Sequence, residues 1–148
     1  MVLRAALFSV AMLAAGPAFA QQVRDINTPL VAVPTFDRSD ILGDWFEVAQ
    51  TPTVLEHDCH GTTVKIEERV DSRLTLRISC HVGAPDGPAL PIDGIMVERS
   101  PGVFLARFVR LPNVGNLPMV VIWASEDGAM LALGAPRGEI GWVWARTA

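Results

Sequence analysis

The chain has 148 residues, 50% of them hydrophobic, a formal net charge of −4 and two cysteines. That length suits one domain and leaves little room for a second. One lysine and scattered arginines in an acidic chain argue against nucleic acid as a partner. The lack of a basic stripe likewise argues against an anionic membrane surface.

Part of the hydrophobic excess sits at the N-terminus. Met1-Val2-Leu3-Arg4 precedes an apolar run over residues 5–15, and Gly16-Pro17-Ala18-Phe19-Ala20 follows. A positive start, a short apolar stretch and an Ala-x-Ala end describe a secretory signal cleaved near Ala20. The run is too short to span a bilayer, and no later segment approaches 18 apolar residues, so no transmembrane segment is expected. The mature chain is then residues 21–148, one domain, periplasmic or secreted. Its first cysteine, Cys59, is far from the cleavage point, which argues against a lipid anchor.

Residues 21–39 are irregular, with Pro29 and Pro34 keeping them extended. Eight short apolar runs follow, at residues 44–50, 62–70, 74–81, 90–98, 103–110, 119–125, 130–134 and 140–146. Turn residues separate them, among them Asp71-Ser72, Ser100-Pro101-Gly102 and Glu126-Asp127-Gly128. This spacing predicts an all-β antiparallel sandwich or barrel, with no long amphipathic helix. Leu74, Leu76, Ile78 and Cys80 alternate with Thr75, Arg77 and Ser79, as a half-buried strand requires. Residues 119–124 and 140–145 are apolar on both faces, which calls for a dimer contact or a lipid-like environment outside.

All three histidines flank the two cysteines, in Glu56-His57-Asp58-Cys59-His60 and Cys80-His81. In an exported chain the expected state is a Cys59–Cys80 disulfide rather than a cysteine-ligated metal. Setting the two cysteines opposite each other across the Asp71-Ser72 turn needs a bulge near Gly61 or a longer turn. His57, His60 and His81 are left as a weaker alternative, an envelope metal site. No nucleophile elbow, zinc-protease helix or phosphate loop is present, so the sequence specifies no enzyme and no cofactor.

Gly43-Asp44-Trp45-Phe46-Glu47-Val48-Ala49 resembles the opening of the lipocalins, whose hallmark is Gly-x-Trp. Ala135-Pro136-Arg137-Gly138, then Trp142-Val143-Trp144-Ala145-Arg146, resembles their closing strand and its arginine. The resemblance implies an eight-stranded up-and-down β-barrel holding a small hydrophobic molecule or lipid, with Trp45 and Arg146 closing the floor. Two features depart from the family. Ser125-Glu126-Asp127-Gly128 stands where an Asp and a Tyr are usual, and the sequence lacks the C-terminal helix. A wall without that helix suits a monomer or a homodimer.

Alternation from Trp45 places Glu47 and Ala49 in the cup, with Leu76 and Ile78 on the third strand and Trp123 on the sixth. The fifth strand offers two faces. One carries Val103, Leu105, Arg107 and Val109; the other carries Phe104, Ala106, Phe108 and Arg110. The family pattern favours the first and hydrophobicity the second. The candidate ligand set takes Leu105 and Arg107, with Arg107 pairing Glu47 or a ligand carboxylate, as a fatty acid or lysophospholipid would supply. The rivals are the histidine metal site, an interaction module whose barrel is filled by side chains, and an enzyme on the same barrel.

Overall fold

The structure is a computed structural model describing residues 25–51, 53, 56–110, 115–138 and 140–148; the expected signal segment lies outside the described residues. Eight strands run in chain order: β1 Gly43–Gln50, β2 Cys59–Glu68, β3 Leu74–Val82, β4 Ala89–Ser100, β5 Val103–Phe108, β6 Asn116–Ala124, β7 Met130–Gly134 and β8 Gly141–Ala145. Each is antiparallel to the next, and β8 returns to β1, so the sheet closes into a barrel with no free edge.

The alternation read from the sequence becomes inside against outside. Val64 and Ile66, Leu74 and Leu76, Phe104 and Ala106, Leu131 and Leu133, and Trp142 and Trp144 all turn inward and are buried. On β5 hydrophobicity therefore decides the face. Leu105 is half-buried on the outer face and Arg107 is exposed there, so neither belongs to the cup. Burying Phe104 and Ala106 removes apolar surface from water, whereas burying the Arg107 guanidinium unpaired would cost several kcal/mol or more.

Two bulges alter the other expected positions. The β1–β8 register shifts between Glu47 and Ala49, which leaves Ala49 exposed and brings Gln50 opposite the inward-facing Trp142. The β6–β7 register shifts between Val121 and Trp123, and Trp123 stands outside with 49% exposure. An extra residue in one strand of a pair reverses the facing of everything beyond it, so Ala49 and Trp123 leave the interior set.

Of the two-sided strands, β6 is partly covered by the segment that carries Leu30 and Val33. Val120 lies on the outer face yet is buried, and its β7 partner Gly134 has the Leu30 side chain 3.1 Å from where a Cβ would sit. The Val33 amide donates to the Val121 carbonyl at 2.9 Å. The extended N-terminal segment thus packs on β6–β7, while Ile122 and Trp123 stay exposed.

One end of the barrel is sealed. A single 3-10 turn, Arg38–Ile41, is capped by Asp37 and delivers the fully buried Ile41 beneath the strands. The Trp45 indole N–H donates to the Ile41 carbonyl at 2.9 Å, and the Arg146 guanidinium lies 3.4 Å from the Trp45 ring centre. Arg146 also donates to the Asp44 and Asp40 carbonyls, at 3.2 and 3.1 Å. Gly43 has φ +97°, and a Cβ there would stand 3.0 Å from Arg146 Nη1. The glycine of Gly-x-Trp is thus required both by the backbone and by the arginine packed against it. The Ser125–Asp127 turn does without a tyrosine: Ser125 Oγ donates to Asp127 at 2.6 Å, and the Ala129 amide caps the same carboxylate.

Cys59 and Cys80 are joined, with 5.3 Å between Cα atoms. The β2–β3 register shifts between His60 and Thr63 around Gly61, which has φ +59°. Of the two routes open to the cysteines, a bulge near Gly61 or a longer turn, the bulge is present; the register still sets Cys59 opposite Val82, so the disulfide runs diagonally between the strands.

Arg146→Ala removes two charge-assisted hydrogen bonds and the cation over Trp45, and is expected to lower stability by about 2 kcal/mol. Arg146→Lys recovers less than half, since one ammonium cannot reproduce the planar fork. Urea unfolding measures both; an unchanged midpoint in Arg146→Ala would show that the floor is held by other contacts.

Candidate functional site

Below its midpoint the barrel is solid. Ile41, Trp45, Ile66, Leu74, Met96 and Phe104 fill it, and Phe36 meets Phe104 edge-on with ring centres 6.3 Å apart. Above them a cavity of about 80 Å³ remains toward the opposite end. Its walls come from Leu76 and Ile78 of β3, Ile92 of β4, Phe108 of β5, Leu117 and Met119 of β6, and Trp142 and Trp144 of β8, with Ile140 at the rim. Glu47 of β1 and Thr53 and Glu56 of the β1–β2 connection bring polarity into this apolar space.

The two carboxylates form one unit. Thr53 Oγ1 donates to Glu56 Oε2 at 2.8 Å. The Gln50 amide nitrogen, in its donating orientation, reaches Glu56 Oε2 at 3.0 Å and Glu47 Oε1 at 3.2 Å. The β1 bulge makes this bridge possible by turning Gln50 toward the interior. Burial pushes the Glu47 carboxyl up to about 7, the negative Glu56 adds to the rise, and the nearby Trp144 N–H opposes it. That indole N–H lies close enough to Glu47 to stabilise its charge, yet Nε1 completes a hydrogen bond of normal geometry with no acceptor.

Of the residues expected in the cup, Trp45 lies in the packed floor, and Glu47, Leu76 and Ile78 line the cavity. Ala49, Leu105, Arg107 and Trp123 lie outside, as described above. Arg107 joins Arg73 and Arg99 along an open outer groove of about 760 Å³ beside Ile95, Val97 and Leu105. It therefore pairs with neither Glu47 nor an internal ligand. The histidines do not converge. His57 is exposed beside Asp58 at 3.0 Å, His60 faces His81 across β2–β3, and His81 Nδ1 contacts the Gly87 carbonyl at 2.8 Å. Among the described residues no three His, Cys, Asp or Glu side chains gather closely enough to hold a metal ion. Sequence reasoning missed Gln50, Thr53, Glu56, Trp142 and Trp144. The alternation of Trp142-Val143-Trp144 was the available signal for the two tryptophans.

The Glu47 carboxyl makes stability depend on pH. Its ordinary value is 4.5 and its folded value about 7, so the folded chain retains a proton that the unfolded chain releases. Its contribution is full below about 4.5 and is lost as pH rises through about 7. With partial solvent screening the effect is on the order of 2 kcal/mol. Glu47→Gln is therefore expected to stabilise the protein at about pH 8 by roughly that amount and to change little at about pH 4. Denaturant midpoints at the two pH values check this, and an equal shift at both would contradict it.

The family model described as lipocalin-like domain matches residues 36–148. No curated protein matches the sequence. Solved structures share the fold at low identity. Lobster apocrustacyanin A1 is 15% identical, with a TM-score of 0.59, covering 76% of this chain and 63% of its own. Insecticyanin from the tobacco hornworm Manduca sexta is 18% identical, with a TM-score of 0.57, covering 80% and 67%. The amine-binding protein of Rhodnius prolixus, in its tryptamine complex, is 14% identical, with a TM-score of 0.53, covering 81% and 70%. The chain thus spans less than two thirds of apocrustacyanin's length. With its eight-stranded closed barrel, floor tryptophan and family match, this chain belongs to the lipocalin-like domain family.

Proposed function

We propose that the protein is an exported carrier that binds a small, largely apolar molecule in the upper cavity. The observation that carries this reading is a barrel packed solid at one end and left hollow at the other, with aromatic and aliphatic walls and a few polar groups. The Rhodnius protein, an amine-binding protein on the same barrel, supports small-molecule binding by this architecture. Export is supported by the Cys59–Cys80 disulfide, of a kind that persists in oxidising compartments. Among the described residues no helix is long and apolar enough to cross a membrane.

A cavity of about 80 Å³ is small beside the roughly 300 Å³ at which drug-sized ligand pockets begin. It suits a compact molecule better than a long acyl chain. An inward Arg107 would have suited the carboxylate of a fatty acid or the phosphate of a lysophospholipid; Arg107 lies outside, and the interior presents carboxylates instead.

Titrating tryptophan emission with isobutanol and cyclohexanol is expected to give a saturable response from Trp142 and Trp144. Ile78→Trp, which fills the cavity, should remove that response while preserving the barrel's circular dichroism. Native mass spectrometry of protein recovered from its exporting cells should show a retained small molecule. A flat titration with no retained mass would favour the filled-barrel interaction module.

A further inference from the structure

The polar groups of the cavity are matched to a particular ligand chemistry. Glu47 and Glu56 bring two carboxylates into a largely apolar space, bridged by the neutral amide of Gln50, with the Thr53 hydroxyl donating to Glu56. The walls from β3 to β6 contribute only apolar side chains, and β8 contributes Trp142 and Trp144. Glu56 is the charged group that acts on Glu47, and no cation among the described residues offsets the pair. Desolvated carboxylates without a counterion are costly, and a ligand ammonium supplies the missing charge through strong hydrogen bonds. Aromatic walls add attraction for the same cation.

A second group points to the rest of the ligand. Trp144 is 1% exposed, lines the cavity and carries an indole N–H that lies near the Glu47 carboxyl yet completes a hydrogen bond of normal geometry with no acceptor. A buried donor left unpaired calls for an acceptor. An ammonium has none to give, so the molecule that satisfies both features also carries an oxygen.

We propose that the cup is a site for a compact amino alcohol, its ammonium held between Glu47 and Glu56 and its oxygen accepting from Trp144 Nε1. This rests on the cup being a ligand site and names the class of ligand. The cavity volume limits that ligand to a few heavy atoms around the charged group.

Four probes of similar shape separate the contributions in calorimetry: valinol, isobutylamine, isobutanol and isobutyrate. Isobutylamine is expected to bind at least about tenfold more tightly than isobutanol, the worth of one charge-assisted hydrogen bond. Valinol should bind more tightly still, and isobutyrate most weakly. The Glu47→Gln/Glu56→Gln double variant should bring isobutylamine down to the level of isobutanol. Trp144→Phe, which keeps a ring and removes the N–H, should level valinol with isobutylamine. Affinity for isobutylamine should also rise as pH increases through about 7, where Glu47 ionises. Equal binding of isobutanol and isobutylamine by the wild-type protein would overturn the proposal, as would a double variant that keeps the preference for the amine. Saturable isobutanol binding without that preference defeats the cation assignment alone. Failure of every probe, the neutral one included, defeats the carrier reading beneath it.

Discussion

The guanidinium of Arg146 lies 3.4 Å from the centre of the Trp45 ring and holds the backbone carbonyls of Asp40 and Asp44. A residue just beyond the last strand thereby fastens the turn that precedes the first. An eight-stranded barrel has two open ends, and its interior is just wide enough for side chains to fill. Sealing one end with Ile41, Trp45 and Arg146 creates a direction, so that whatever space the core leaves must open at the other. Gly43 belongs to the same arrangement, because its positive φ and missing Cβ let the arginine lie flat on the strand. Floor, core and cavity therefore follow from one stacked pair and the glycine that admits it.

Much of this architecture was readable in the chain. Strand order came from two-residue alternation and turn residues, and Gly43-Asp44-Trp45 with Arg146 identified the closure. The spacing of Cys59 and Cys80 called for a bulge near Gly61 or a longer turn, and a bulge lies at Gly61. On β5 two signals conflicted, and hydrophobicity prevailed over the family pattern because a buried, unpaired Arg107 costs more than any alignment implies.

The cup was legible only in part, and the reason is geometric. A bulge inserts one residue without changing composition, so nothing in Glu47-Val48-Ala49-Gln50 announces that the inward sequence passes from Glu47 to Gln50. Trp123 misled for the same reason. Glu56 was read only as a neighbour of the histidines, because a connecting segment has no periodicity to show that it folds over the rim. The polar half of the site thus arises from an irregular strand and a loop, while the regular strands supply the apolar half. Carboxylates in a dry space oppose folding, which is the usual mark of a site kept for binding rather than for stability.

The β1 bulge also bears on how sequence variation among relatives should be read. Before it, interior demands fall on odd-numbered positions such as Trp45 and Glu47; beyond it they fall on Gln50. Substitution patterns along this strand should change phase at Val48, so a comparison assuming unbroken alternation would credit Ala49 with constraints that belong to its neighbour. A relative of the same length that paired this strand without the bulge would keep the barrel and floor, yet turn the equivalent of Ala49 toward its ligand in place of the Gln50 amide. Ligand class then diverges through a change of register in one strand, with the rest of the barrel unaltered.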